Sequence, residues 1–69
     1  MTAETVHVTS REKEILHWMS NGKSIDEIGL ILGVTAHTVN SHKNTLKTKL
    51  DVYKDTALVA TALRRHIIE

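Results

Sequence analysis

The chain has 69 residues, no cysteine and a formal net charge of +1. A chain this short makes one small domain with a thin core, and without cysteine it holds neither a disulfide framework nor a thiolate metal site. No apolar run approaches the roughly 18 residues that span a bilayer, and the opening residues lack the basic-then-apolar order of a secretory signal.

In chain order, residues 1–7 read as a flexible arm or linker remnant and residues 8–69 as the folded domain. Thr9-Ser10-Arg11-Glu12 fits a capping box, which places the first helix after Thr9, with Val8 as an entry staple. Ile15, Leu16 and Met19, with Trp18 beside them, form its apolar stripe, and Asn21-Gly22 ends it. A second capping box, Ser24-Ile25-Asp26-Glu27, opens a short helix whose apolar face is Ile25, Ile28, Ile31 and Leu32. Gly33 stops that helix and Val34 plugs the turn. Thr35 caps a third helix running to Leu50, with Val39, Leu46 and Leu50 on its inner line and Asn40, Ser41, Lys43, Asn44 and Lys47 outside. The last helix is expected from Lys54 or Asp55 to about Ile68. Four helices and no strands make the class all-α.

Gly29, Gly33 and Val39 carry the functional signal. In a helix-turn-helix the first position needs a small side chain where the helices nearly touch. The second must tolerate positive φ, and the third must be apolar to pack one helix on the other. The motif is expected at about residues 24–43, with the third helix as the recognition helix that enters a DNA major groove. Charge agrees with this. Residues 1–34 carry three basic and five acidic side chains, a balance of −2, and residues 35–69 carry six and three, a balance of +3. Between residues 35 and 50 there is no acid at all, and a basic element of this kind suits phosphate contact.

The motifs Thr9-x-Arg11-Glu12-x-Glu14-Ile15-Leu16, Gly22-Lys23-Ser24, Glu27-Ile28, Thr38-Val39-x-x-His42 and Lys49-Leu50 followed by Val52 together resemble the LuxR-type DNA-binding domain. The resemblance covers about residues 8–68. It implies a bacterial transcription regulator in the cytoplasm that binds double-stranded promoter DNA as a dimer on an inverted repeat, without a cofactor. It also implies that a sensor domain absent from this chain can precede it, and Trp18 with Gly22-Lys23-Ser24 looks most like the quorum-sensing branch. Two residues depart from the family pattern. Gly29 stands where alanine is usual, and Asp55 stands where many members carry arginine or lysine, which removes a phosphate contact.

Asn40, Ser41 and Asn44 match the family positions that face base edges. Asparagine can pair with N7 and N6 of adenine at once. The bland alternative, that they merely solvate the helix, leaves two poor helix formers at i and i+4 with no structural return. Lys43 and Lys47, one turn apart, are expected on phosphates. Thr35, His37 and Thr38 are expected there too, at a helix start that favours anions, although Thr35 is also explained as an N-cap. Lys49 is expected to face solvent. His42 reads either as a half-buried structural histidine or as a phosphate contact. His37 and His42 have the wrong spacing for zinc on one helix face, and no cysteine stands near.

Nothing in the sequence carries catalysis: there is no phosphate loop, no nucleophile elbow and no paired carboxylates in a cleft. The competing class is a protein-interaction module of the same fold with weakened DNA contact. In the last helix, Val59, Leu63 and Ile67 are expected inside. Leu58, Thr61, Ala62 and Arg65 are then left as a narrow strip for a weak homodimer.

Overall fold

The computed structural model describes residues 7–69, so the arm expected over residues 1–7 lies outside the described residues except for His7. Four helices account for the described chain: α1 (Ser10–Ser20), α2 (Ile25–Leu32), α3 (Ala36–Leu50) and α4 (Asp55–Arg64). Their starts follow local chemistry. At α1, Glu12 N–H donates to Thr9 Oγ1 at 3.1 Å and Thr9 N–H donates to Glu12 Oε1 at 3.0 Å. The same reciprocal box joins Ser24 and Glu27 at the start of α2. Thr35 Oγ1 accepts the Thr38 N–H at 3.1 Å at the start of α3. Lys54, at the N-cap of α4, supplies no side-chain bond.

The ends share one device. Gly22, Gly33, Asp51 and His66 all have positive φ, and each lies just past the end of a helix. At α3, Val52 N–H reaches Lys47 O at 2.9 Å across the turn, and at α4, Ile67 N–H reaches Ala62 O at 2.8 Å. These bonds satisfy carbonyls that a helix end leaves bare.

The core has two parts, and α3 runs through both. Ile15, Ile28 and Val39 form one cluster, lined by Trp18, Leu32 and Val34. Leu16, Leu46, Leu50, Leu58, Ala62 and Ile68 form the other, with Val8 packed on it. The fourth helical residue, which a staple would pair with Val8, is Lys13, so Val8 meets the core instead. The neighbours Ile15 and Leu16 therefore sit in different clusters and tie α1 to both halves of α3. Each fully buried leucine or isoleucine contributes about 1.5–3 kcal/mol.

The turn between α2 and α3 folds back tightly on α2. A Cβ placed on Gly29 would lie 2.7 Å from Val34 O. The small residue is needed against the backbone of the turn, a more local demand than the helix crossing expected from sequence. Gly29 is buried on the turn side, which rolls Ile31 off the opposite edge. Ile31 is 45 % exposed, against the expectation that it lines the core.

The last helix differs most from expectation. It ends at Arg64, because the chain leaves the helical path and His66 takes φ 59°. Ile67 is therefore beyond the helix, though half-buried against the core as expected, and the helical line Val59–Leu63–Ile67 does not exist. The reversed chain instead folds Ile68 onto the core, where Leu58 and Ala62 are fully buried and Thr61 is buried beside them. Leu63 faces out at 43 % exposure. The face expected to be free is thus the inner face.

Candidate nucleic-acid interface

The exposed side of α3 gathers the residues expected on bases. Asn40, Ser41 and Asn44 are all exposed, with His37 and Thr48 continuing the same face toward the two ends of the helix. The opposite side of the helix is pinned by Val39, Leu46 and Leu50, so the orientation of the polar face is set by packing. Residues 40 and 44 lie one turn apart with 41 beside them, a patch that points one way. The Thr45 and Thr48 hydroxyls donate to Ser41 O and Asn44 O, which turns these hydroxyls back along the helix.

At the helix start, the Thr35 hydroxyl bonds both the Thr38 N–H and, at 3.0 Å, the Thr38 hydroxyl. Its cap role is therefore in place, and His37 is exposed next to it. His42 is half-buried on the flank. It does not share the outward face of Asn40 and Asn44.

The lysines of α3 divide between two flanks. Lys43 Nζ lies 3.1 Å from Asp55 Oδ2 and Lys47 Nζ lies 2.6 Å from Asp55 Oδ1, so one carboxylate at the start of α4 holds both ammoniums. The Lys47 ammonium holds the Asp55 carboxyl below its ordinary value. Partial burial works against this and Lys43 adds to it. On the other flank, Lys49 Nζ lies 2.8 Å from Glu12 Oε1. This corrects the expectation that Lys49 faces solvent. It lies two positions beyond Lys47, which turns it to the opposite side of the helix, where α1 waits with Glu12. Burial pushes the Glu12 carboxyl up, but the bonds from Lys49 and Thr9 outweigh it and hold the group below its ordinary value. Glu12 was legible as a cap, and nothing in its local motif announced its second partner.

An apolar groove of about 680 Å³ runs between α4 and the end of α1, with Met19, Ile25, Val59, Ala60 and Leu63 in its walls and Asp55 at its rim. The outer face of α4 is therefore Thr56, Ala60 and Leu63, all exposed, with Val59 half-buried among them. This replaces the strip expected from sequence, since Leu58, Thr61 and Ala62 are spent on the core and only Arg65 remains exposed.

Residues 6–62 match the family described as bacterial regulatory proteins, luxR family. The chain belongs to this family. Its helix-turn-helix is the DNA-binding domain of such regulators, a regulatory module and not an enzyme. The transcriptional activator protein BjaR1 of Bradyrhizobium diazoefficiens is 42 % identical over 93 % of the chain and 26 % of the relative. The HTH-type quorum-sensing regulator RhlR of Pseudomonas aeruginosa is 37 % identical over 90 % of the chain and 26 % of the relative. Among solved structures, the luxR-family domain superposes on the VqmA dimer of Vibrio cholerae, described in the absence of target DNA. The TM-score is 0.85 at 28 % identity, over 94 % of this chain and 29 % of that one. The luxR-family domain thus spans about a quarter of the length of the curated relatives it matches.

Proposed function

We propose that the domain reads double-stranded DNA by laying the outer face of α3 in the major groove, with Asn40, Ser41 and Asn44 toward base edges. The observation that carries this reading is the exposed, acid-free polar patch on a helix whose other side is fixed by Val39, Leu46 and Leu50. His37, with the Thr35–Thr38 cap, lies at the end of α3 where free N–H groups and the helix dipole favour a phosphate oxygen. Lys43 and Lys47 flank the same face and reach the phosphates of the groove edge.

Two copies bind an inverted repeat, each reading one half-site. They meet through the outer face of α4, at Thr56, Val59, Ala60 and Leu63. That face is small against the roughly 1,200 Å² of a stable complex, so the isolated domain pairs weakly and DNA holds the pair together. The names and lengths of the relatives support placing the domain in a larger cytoplasmic bacterial regulator of the quorum-sensing kind, with a sensing domain ahead of it.

Selection of preferred duplexes from a random pool, followed by titration of the winner at several salt concentrations, tests the reading. The expected result is an inverted-repeat preference and an affinity that falls steeply as salt rises. Binding without sequence preference, or association with a protein partner that is indifferent to salt, would favour the interaction-module alternative instead.

A further inference from the structure

Long lysine side chains on a DNA-reading helix ordinarily stand out in solvent with their ammoniums free. Here they do not. The side chains of Lys43 and Lys47 are only 12 % and 21 % exposed, and Asp55, at 52 %, is the outermost member of the trio. Each carboxylate oxygen takes one ammonium, Oδ1 from Lys47 and Oδ2 from Lys43. Two non-bridging phosphate oxygens would offer the same two-point arrangement. A phosphate approaching this flank therefore meets a site already occupied by an anion of matching shape, and a local charge of one cation where the sequence counts two.

We propose that Asp55 is an internal stand-in for a DNA phosphate, competing for Lys43 and Lys47 and so lowering the sequence-independent part of DNA affinity. The inference rests on the DNA-binding reading above. The lysines engage the backbone only by leaving or sharing the carboxylate, whose own charge repels the incoming phosphate. The penalty is the same for every duplex, because it falls on a phosphate and not on a base. A single copy of the domain is thereby kept from binding arbitrary DNA, and stable occupancy depends on base contacts and on a second copy. The position of Asp55 makes the arrangement economical: it begins α4, where an acid also suits the helix dipole, and it sits on the rim of the α4 groove.

The test is binding of the chain and its variants to a selected duplex and to a scrambled one of equal length, from about 50 to about 200 mM salt. Asp55→Asn should steepen the slope of log K against log salt by about 0.9 and tighten binding about eightfold near 0.1 M on both duplexes, the effect of one further phosphate neutralised. Asp51→Asn adds the same net charge at a left-handed position that asparagine tolerates, and it should leave the slope unchanged. In a Lys43→Ala, Lys47→Ala background, Asp55→Asn should bring a clearly smaller gain, that of lifting the carboxylate's own repulsion alone. Asp55→Ser serves as a second variant should the asparagine disturb the start of α4. An unchanged slope in both Asp55 variants, weaker binding, or an equal gain from Asp51→Asn would overturn the inference while the wild-type chain still binds DNA. No binding of any duplex by any variant would instead overturn the reading on which it rests.

Discussion

Two carboxylates in first helical turns each grip lysine from α3, one on either flank, and they are built for different ends. Glu12 is buried, is fixed by the reciprocal bonds of a capping box, and holds the single cation Lys49 at 2.8 Å. Asp55 is half-exposed, has no capping bond behind it, and shares its two oxygens between Lys43 and Lys47 beside the reading face. The buried junction ties α1 to α3 and sets the fold. The open junction leaves its ions where a phosphate can reach them. Ion pairs of similar length thus differ in consequence because burial sets the cost of breaking them.

The largest effect should come from breaking the buried junction. Glu12→Ala takes the carboxylate from Lys49, itself 29 % exposed, and removes half of a cap. It should destabilise the domain by about 1.5–3 kcal/mol, the worth of charge-assisted bonds to a carboxylate, as read by thermal unfolding. Asp55→Ala, the matched change at the open junction, should cost less than about 1 kcal/mol. Comparable losses at both sites would remove the distinction between them.

Next in size is the effect on binding. The double change Lys43→Ala, Lys47→Ala should flatten the salt slope by about two units on every duplex and leave the rank order of sequences unchanged. A loss confined to the preferred site would mean that these lysines read bases.

Acid should weaken the buried junction. The folded pKa of Glu12 lies below its ordinary value of 4.5. Its stabilisation is therefore fully present above that value and is lost as pH falls through the folded pKa. Unfolding measured from neutral pH down through this window should show a decline that Glu12→Gln flattens. A variant as acid-sensitive as the parent would place the decline elsewhere.

The smallest expected effect on stability is at the α4 face. Leu63→Arg should change unfolding by no more than about 0.5 kcal/mol, yet reduce cooperative binding to a paired site. Leu58→Ala should cost about 2–5 kcal/mol of stability. The reverse pattern would restore the strip read from sequence.

That strip shows where legibility stopped. The caps at Thr9, Ser24 and Thr35, the glycine turns and the inner line of α3 are governed by neighbours within a few residues, and all were readable. So were the third helix and its outward polar patch. The face of α4 was misread because its register depends on where the helix stops. His66 stops it in a left-handed conformation that a histidine does not advertise, and Ile68, with Ile67 half-buried beside it, then occupies the place given to Leu63. The partners of Lys43, Lys47 and Lys49 were hidden for a related reason. They lie 12, 8 and 37 residues away in sequence and meet only when helices pack. Sequence suggested what Asp55 removes, a phosphate contact, and left unseen what it holds.

Everything proposed for this domain depends on base reading by the outer face of α3. Asn40→Ala, measured by equilibrium binding on a selected site and on a scrambled duplex under the same salt, tests it most directly. The account predicts a loss of roughly 1–3 kcal/mol on the selected site with little change on the scrambled one. Equal losses on both duplexes would contradict it.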